Sequence, residues 1–370
     1  MKKFYFIVLL MVLVGVHLYF FLSREQSPVP DITLPEPETA TTTEIISYPP
    51  LAEMIGSLLM IGHWADSPEA STTAMIEQYH LGGVIIMSAP EDPREIKSWT
   101  AAWQDVSSST LLIAIDQEGG PVSRLRGAEF DTTGQRELAT ATEAFALGKK
   151  RGAELAALGI NLNFAPVLDT ASSSSSFMYD RVFPDRDTSA EMAEAMVAGM
   201  HESGVVGVVK HFPGHPNTSE DSHTTLPTVN STKSELSNYA APFFTLLRTT
   251  PPQALMTAHL LFPNVDSLPV TLSPYFLTKV LREELEYEGV IITDDMSMDA
   301  IDTLYSVPTA SVMSVNAGAD IILLAAEPSE VKNVVTALVT AAEADPALRQ
   351  RIEDSFTRVE ALCSQLSREQ

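Results

Sequence analysis

The sequence predicts an α/β protein folded as a (β/α)8 barrel of the TIM type, and three observations predict it. From residue 51 onward, eight short runs rich in Val, Ile and Leu alternate with longer stretches of helical period. This alternation is typical of repeated β/α units with a parallel sheet. The length after residue 51 is about that of one such barrel. A doubly wound open sheet is the alternative.

The eight predicted strands are spaced along the whole of this region. They occupy residues 58–62, 83–87, 111–115, 162–167, 205–209, 254–257, 290–292 and 320–324. Helical stretches with apolar residues three and four positions apart lie between them, at 191–201, 234–247, 274–286 and 331–342. A last helix is predicted over 346–366, so residues 51–370 form a single catalytic domain.

The N-terminus predicts a transmembrane helix. Lys2 and Lys3 precede a mainly apolar run over 4–22, which is long enough to cross a bilayer. Residues 23–26 offer no small-x-small cleavage site, so a signal anchor over 1–22 is favoured over a cleaved signal peptide. The two lysines should remain in the cytoplasm, which places the catalytic domain on the extracytoplasmic side, or secretes it if the segment is cleaved.

Residues 23–50 are rich in Pro, Thr, Ser and Glu and have little apolar periodicity. This composition is typical of an extended, solvated linker. We therefore expect a tether between the membrane and the barrel.

Composition excludes several classes of function. The chain has 48 acidic and 23 basic residues and a formal net charge of −25, which argues against nucleic acid as a partner. Cys363 is the only cysteine, so an intrachain disulfide, a cysteine zinc cluster and thiol catalysis are not expected. The oligomeric state is left open.

Polar residues follow several predicted strands, and in a barrel these positions meet at one face. They are Asp116 to Gly120, Asp169, Lys210 with His211, His259, and Asp294 with Asp295. Any one of them could be polar only because strand ends meet solvent. Their occurrence after five strands favours an active site.

Asp294 follows the apolar run at 290–292 and is the candidate nucleophile. A carboxylate can attack an anomeric carbon and form a glycosyl-enzyme intermediate, which divides one difficult displacement into two easier ones. Adjacent side chains on an extended chain point in opposite directions, so Asp295 is expected to support structure.

A polar loop at 210–223 contains three histidines, His211, His215 and His223. Asp221 can accept a hydrogen bond from one ring nitrogen of His223 and leave the other to exchange protons with substrate. Zinc binding is the weaker alternative, because no HExxH helix or closed four-ligand set accompanies them. A structural loop histidine is the other alternative, and no metal is expected.

Two motifs resemble those of glycoside hydrolase family 3, in its β-N-acetylhexosaminidase branch, over nearly all of residues 51–343. The nucleophile signature of that family is matched by residues 280–282, 284, 289–294 and 297. The marker loop of the branch is matched by KHFPGH at 210–215, DSH at 221–223 and LP at 226–227.

The resemblance implies a retaining enzyme that removes terminal β-linked N-acetylglucosamine without a metal or organic cofactor. It makes Asp294 the nucleophile and His223, assisted by Asp221, the general acid/base. The residues expected to hold sugar hydroxyls are Asp116, Arg124, Arg181, Lys210 and His211.

The sequence also departs from that family at the loops nearest the substrate. Pro121 replaces the usual arginine of the DQEGGRV segment, Pro216 and Asn217 replace Gly-Asp, and Arg181-Val-Phe-Pro stands where Arg-Ser-Phe-Gly is usual. The preference for the leaving group is therefore left open. Because larger members add a second α/β domain, the end of this chain after its eighth unit favours a hexosaminidase over a β-glucosidase.

Two further functions are kept as alternatives. A histidine acid/base presents less negative charge to an incoming anion than glutamate does, so phosphate could replace water and make the enzyme an N-acetylglucosaminide phosphorylase. A non-catalytic module that binds cell-wall glycan is the second alternative. The expected substrate is a peptidoglycan fragment or another amino-sugar glycan.

Overall fold

The structure, a computed structural model, describes residues 48–215, 225–325 and 328–369. Its strands are β1 (Leu59–His63), β2 (Gly83–Ile86), β3 (Leu112–Ile115), β4 (Gln117–Gly119), β5 (Val122–Ser123), β6 (Leu162–Asn163), β7 (Val206–Phe212), β8 (Ala254–Thr257), β9 (Val290–Ile292) and β10 (Ile322–Leu324). Eight of them form one parallel sheet in the order β10-β1-β2-β3-β6-β7-β8-β9. A bridge between Ile292 and Ile321 joins the two ends of the sheet, so the predicted barrel is confirmed.

Helices cover the outside of this barrel. They are α1 (Leu51–Ser57), α2 (Glu69–Tyr79), α3 (Arg94–Val106), α4 (Ala141–Ala156), α5 (Ser189–His201), α6 (Lys233–Tyr239), α7 (Ala241–Thr249), α8 (Asp299–Asp302), α9 (Val307–Ala317), α10 (Pro328–Ala344), α11 (Pro346–Glu369) and a π-type helix at Tyr275–Glu284. Every residue of β2 and β3 is buried, as expected for parallel strands covered on both faces.

Several predicted elements differ in detail from the structure; the strand predicted over 162–167, for example, covers only Leu162–Asn163. The single helix expected over 234–247 is wrong, because the chain forms α6 and α7 with a break at Ala240. Pro242 has no N–H to donate within a continuous helix, and it stands instead in the first turn of α7. Strand β7 is longer than predicted and continues to Phe212, so Lys210 and His211 lie within it.

The predicted anchor at 1–22 and residues 23–47 of the predicted linker lie outside the described residues. Over 48–215, 225–325 and 328–369, no helix is both long enough and apolar enough to cross a membrane. Tyr48, near the end of the predicted linker, packs edge-on against Phe356 of α11, with ring centroids 6.2 Å apart. The packed part of the chain therefore includes Tyr48.

Candidate active site

The carboxyl ends of the barrel strands surround a cavity of ≈ 190 Å³. The structure brings together there six of the eight residues singled out by the sequence. They are Asp116, Arg124, Arg181, Lys210, His211 and Asp294. The other two, Asp221 and His223, lie outside the described residues, as do Pro216 and Asn217.

A buried network of charges forms one wall of the cavity. The Lys210 ammonium lies 2.6 Å from a carboxylate oxygen of Asp116 and 2.7 Å from one of Glu118. The Arg181 guanidinium donates two hydrogen bonds to Glu118, at 2.8 and 2.9 Å. Glu118 thereby positions the charged groups of Lys210 and Arg181 in the wall of the cavity.

These groups stay charged because the attraction between opposite charges offsets the cost of burying each of them. Burial alone would raise the pKa of Glu118, but Lys210 and Arg181 lower it to about 2. Burial alone would lower the pKa of Lys210, but Asp116 and Glu118 hold it above its ordinary value. The wall therefore presents fixed donors and acceptors, which are the groups that orient sugar hydroxyls.

Arg124 reaches the same wall from the hairpin of β4 and β5. Its guanidinium lies 3.3 Å from Asp116, and about a third of its side chain is exposed. Gly119 and Gly120 have φ of 88° and 57°, values that favour glycine and that allow the chain to turn tightly after β4. Pro121 is exposed at the tip of this hairpin, so that departure from the family pattern does not line the cavity.

Asp169, after β6, organises the end of β7. One of its carboxylate oxygens lies 2.6 Å from Nδ1 of His211. The carboxylate also accepts hydrogen bonds from the backbone N–H groups of His211 and His215. Since Asp169 occupies Nδ1 of His211, the other ring nitrogen is the one left for a ligand.

Asp294 lies at the mouth of the barrel, directly after β9. Its carboxylate accepts a hydrogen bond of 2.9 Å from the backbone N–H of Asp295. Burial alone would raise its pKa, but His259 and then His211 outweigh burial and hold the pKa below the ordinary value. Asp294 is therefore an ionised carboxylate at neutral pH, as a nucleophile must be.

Asp295 supports the structure, as the sequence predicts. It accepts hydrogen bonds from the hydroxyl of Ser297 at 2.7 Å and from the backbone N–H of Ala325 at 3.0 Å. His259 approaches from β8, with Nε2 2.9 Å from the carbonyl oxygen of Asp295. These contacts fasten the loops after β8, β9 and β10 around Asp294.

Sequence reasoning did not assign roles to Glu118, Asp169 and His259. Each follows a strand within a polar segment, which was the available signal. Their partners are distant in sequence, however, and the pairing of Arg181 with Glu118 spans 63 residues. Spacing alone could not identify those partners.

A buried, ionised carboxylate beside fixed donors and acceptors, at the mouth of a (β/α)8 barrel, is the arrangement expected of a glycoside hydrolase. The family described as glycosyl hydrolase family 3, N terminal domain, matches residues 50–362. The chain belongs to this family.

Known relatives agree with this assignment. A beta-hexosaminidase of Alkalilimnicola ehrlichii is 34% identical over 288 residues, which cover 75% of this chain and 83% of the relative. Among solved structures, a family 3 beta-N-acetylglucosaminidase from Paenibacillus sp. str. FPU-7 is 35% identical, with a TM-score of 0.80 over 86% of this chain and 63% of that one. A beta-N-acetylhexosaminidase from Beutenbergia cavernae is 32% identical, with a TM-score of 0.78 over 86% of this chain and 99% of that one.

Proposed function

We propose that the protein is a retaining β-N-acetylglucosaminidase that removes terminal, non-reducing β-linked N-acetylglucosamine. The observation that carries this proposal is the ionised Asp294 in a cavity lined by the predicted sugar-binding residues. Relatives named for β-N-acetylhexosaminidase activity support the choice of sugar.

The mechanism is a double displacement. His223, assisted by Asp221, gives a proton to the glycosidic oxygen while Asp294 attacks the anomeric carbon, and the leaving alcohol departs. His223 then takes a proton from water, the water oxygen displaces Asp294, and the sugar is released with its β configuration retained. The roles of His223 and Asp221 rest on the DSH motif at 221–223.

The charged wall holds the sugar during both steps. Lys210, Arg124 and Arg181 donate hydrogen bonds to hydroxyls, Asp116 accepts them, and His211 offers its free ring nitrogen. The cavity of ≈ 190 Å³ is small beside the roughly 300 to 1,000 Å³ of sites for larger ligands. A cavity of this size suits one terminal sugar ring, which supports action at chain ends.

The cellular setting is part of the same proposal. A signal anchor at 1–22 and a tether over 23–47 would hold the barrel outside the cytoplasmic membrane. Amino-sugar glycans of the cell wall are within reach there. The support is the sequence pattern alone.

The test is release of p-nitrophenol from its β-N-acetylglucosaminide by the full-length protein. Asp294→Ala should lower kcat by a factor on the order of 10³ or more, because it removes the nucleophile. His223→Ala should lower kcat by roughly 10² to 10⁴, because proton transfer is lost. The matched β-glucoside should be turned over poorly.

Four outcomes would contradict the proposal. Full activity in Asp294→Ala would exclude it as the nucleophile. Faster turnover of the β-glucoside would favour a β-glucosidase, and acceleration by phosphate with release of a sugar phosphate would favour a phosphorylase. A folded protein inactive on every N-acetylglucosaminide tested would support the binding-module alternative.

A further inference from the structure

Arg151 is a buried cation to which no role has been assigned so far. It lies on α4 and is 0% exposed. Its guanidinium donates hydrogen bonds to the carbonyl oxygens of Glu118, at 2.9 Å, and of Thr133, at 2.8 Å. A longer bond of 3.5 Å goes to the carbonyl oxygen of Asp131. All three acceptors belong to the backbone, so Arg151 fixes the course of the chain at these positions.

The two closer acceptors lie at opposite ends of one excursion of the chain, over residues 119–133. Glu118 lies in β4, where the excursion begins, and Thr133 lies where it ends, ahead of α4. A Cβ placed on Gly119 would lie 2.7 Å from Nη2 of Arg151 and 2.0 Å from the carbonyl oxygen of Thr133. The guanidinium therefore fills the space between the two ends, and the absence of a side chain at position 119 allows this.

The excursion and its first end supply groups to the active site. The carboxylate of Glu118 pairs with Lys210 at 2.7 Å and with Arg181 at 2.8 Å. Arg124, which lies within the excursion, lines the same cavity. A displacement of the backbone at Glu118 would therefore move the acceptor that holds both buried cations. Arg151 is not among the described residues that line the cavity, so it can act there only through its neighbours.

The chemistry of arginine explains why a charge is buried at this position. Burial lowers the pKa of Arg151 to about 10, with partial compensation from Asp131, Glu154 and Glu118, so the group is charged at neutral pH. Burying a charge is costly, and an apolar side chain of similar volume often stabilises a core more. The planar guanidinium, however, presents several N–H groups in a fixed arrangement that can satisfy two carbonyls at once. These are the contacts of a residue that fixes geometry.

We propose that Arg151 is a positioning residue for the glycosidase reaction. It holds the backbone of Glu118 from the side of α4, and Glu118 in turn holds Lys210 and Arg181 where they meet the sugar hydroxyls. Arg151 itself does not touch the substrate. This inference rests on the proposed function and adds to it a residue that supports the sugar-binding wall.

The first test measures kcat/KM for p-nitrophenyl N-acetyl-β-glucosaminide with protein shown to be folded by circular dichroism. Arg151→Met removes the donors and should lower kcat/KM about tenfold or more, because small displacements of the groups that hold a substrate are costly to the rate. Arg151→Lys keeps the charge and one nitrogen, and should lose about threefold. Lys150→Met is the matched control, because Lys150 is exposed on the same helix and pairs with Asp131 of the same excursion. Its kcat/KM should remain within about twofold of the wild-type value.

The second test asks whether the effect passes through Glu118. It compares the wild-type enzyme, Arg151→Met, Glu118→Gln and the double variant. The loss caused by Arg151→Met should be about threefold smaller or less in the Glu118→Gln background, because both changes disturb the same contacts. The inhibition constant of N-acetylglucosamine, measured with the same four proteins, should show the same non-additivity, since product and substrate share the hydroxyl contacts.

These measurements distinguish a failure of this inference from a failure of the proposed function. A folded Arg151→Lys variant with wild-type kcat/KM overturns the positioning role, even where Arg151→Met does not fold. Equal losses in the wild-type and Glu118→Gln backgrounds overturn the route through Glu118. A loss in Lys150→Met as large as that in Arg151→Met overturns the specific role of Arg151. A wild-type enzyme that is inactive on N-acetylglucosaminides overturns the proposed function, and the role of Arg151 with it.

Discussion

At the scale of single residues, the environment of Asp294 combines burial with electrostatic interactions from two histidines. Burial disfavours the carboxylate, and His259 and His211 favour it, with the net result that its pKa lies below the ordinary 3.8. His259 is held between the Asp295 carbonyl and the Thr271 hydroxyl, at 2.9 Å from each. His259 lowers the pKa of Asp294 and fixes the loop that carries Asp294, and we regard it as a positioning residue.

His259→Gln should move the acid limb of the pH profile of kcat/KM to higher pH. The ionised form of Asp294 is the reactive one, so a lowered pKa keeps the enzyme active to lower pH. Glutamine retains an N–H donor for Asp295 but removes the electrostatic interaction of the imidazole that lowers the pKa of Asp294, which allows that pKa to rise. The profile should be measured with p-nitrophenyl N-acetyl-β-glucosaminide.

The control for this shift is His201→Gln, at an exposed position of α5 that does not line the cavity. Its acid limb should coincide with that of the wild-type enzyme. An unchanged acid limb in His259→Gln would show that His259 does not set the ionisation of Asp294.

At the scale of elements, helices α4 and α5 pack closely against each other. A Cβ added to Gly148 of α4 would lie 2.2 Å from the carbonyl oxygen of Met196, and one added to Gly199 of α5 would lie 2.2 Å from that of Phe145. The two helices thus pack backbone against backbone. Because α5 lies along the chain between the loop that carries Arg181 and the strand that carries Lys210, this contact helps to position the charged wall of the cavity.

Gly148→Ala should destabilise the protein by about 1–3 kcal/mol, since the methyl group has no space without separating the helices. Helix propensity alone would predict the opposite, because alanine stabilises the interior of a helix by about 1 kcal/mol relative to glycine. Urea denaturation followed by circular dichroism would measure the free energy of unfolding.

Gly134→Ala is the matched comparison, because its added Cβ would lie 3.4 Å from the nearest atom, an ordinary contact. Its free energy of unfolding should remain within about 1 kcal/mol of the wild-type value. Equal or greater stability in Gly148→Ala would contradict the close packing of α4 and α5.

At the scale of the whole molecule, Asp320 joins the C-terminal helix to the barrel. Its buried carboxylate pairs with Arg282 of the π-type helix, and with Arg351 and Arg358 of α11 at 3.5 and 3.4 Å. The hydroxyl of Ser355 donates to the same carboxylate at 2.9 Å. Asp320 precedes β10, so this cluster lies at the end of the barrel opposite the active site.

Asp320→Asn should lower the free energy of unfolding by about 3–5 kcal/mol, because it leaves three arginines beside a neutral group. Under conditions where the variant is folded, kcat/KM should remain close to the wild-type value. Thermal unfolding and turnover measured on the same sample would check both expectations, with Glu343→Gln as the control. A loss of activity in fully folded protein would mean that the cluster acts on the active site.

Much of this architecture was predictable because it depends on local patterns. Apolar runs predicted all eight barrel strands. In a parallel barrel, the residues that follow each strand lie at the same face. That rule placed Asp116, Lys210 and Asp294 in one cavity before any contact was known. The break between α6 and α7 was missed because apolar periodicity outweighed the signal of Pro242.

The sequence by itself determined the barrel and the family and singled out Asp294 as the candidate nucleophile, since periodicity, strand polarity and a motif are properties of neighbouring residues. Only the tertiary structure decided which charges pair, because Lys210 and Asp116 are 94 residues apart and no spacing encodes their contact. It likewise decided that Trp64, Ser297 and Glu330, which follow β1, β9 and β10, line one cavity. Closure of the barrel brings β1 next to β10. These two strands lie far apart in the sequence, so no local pattern encodes their contact.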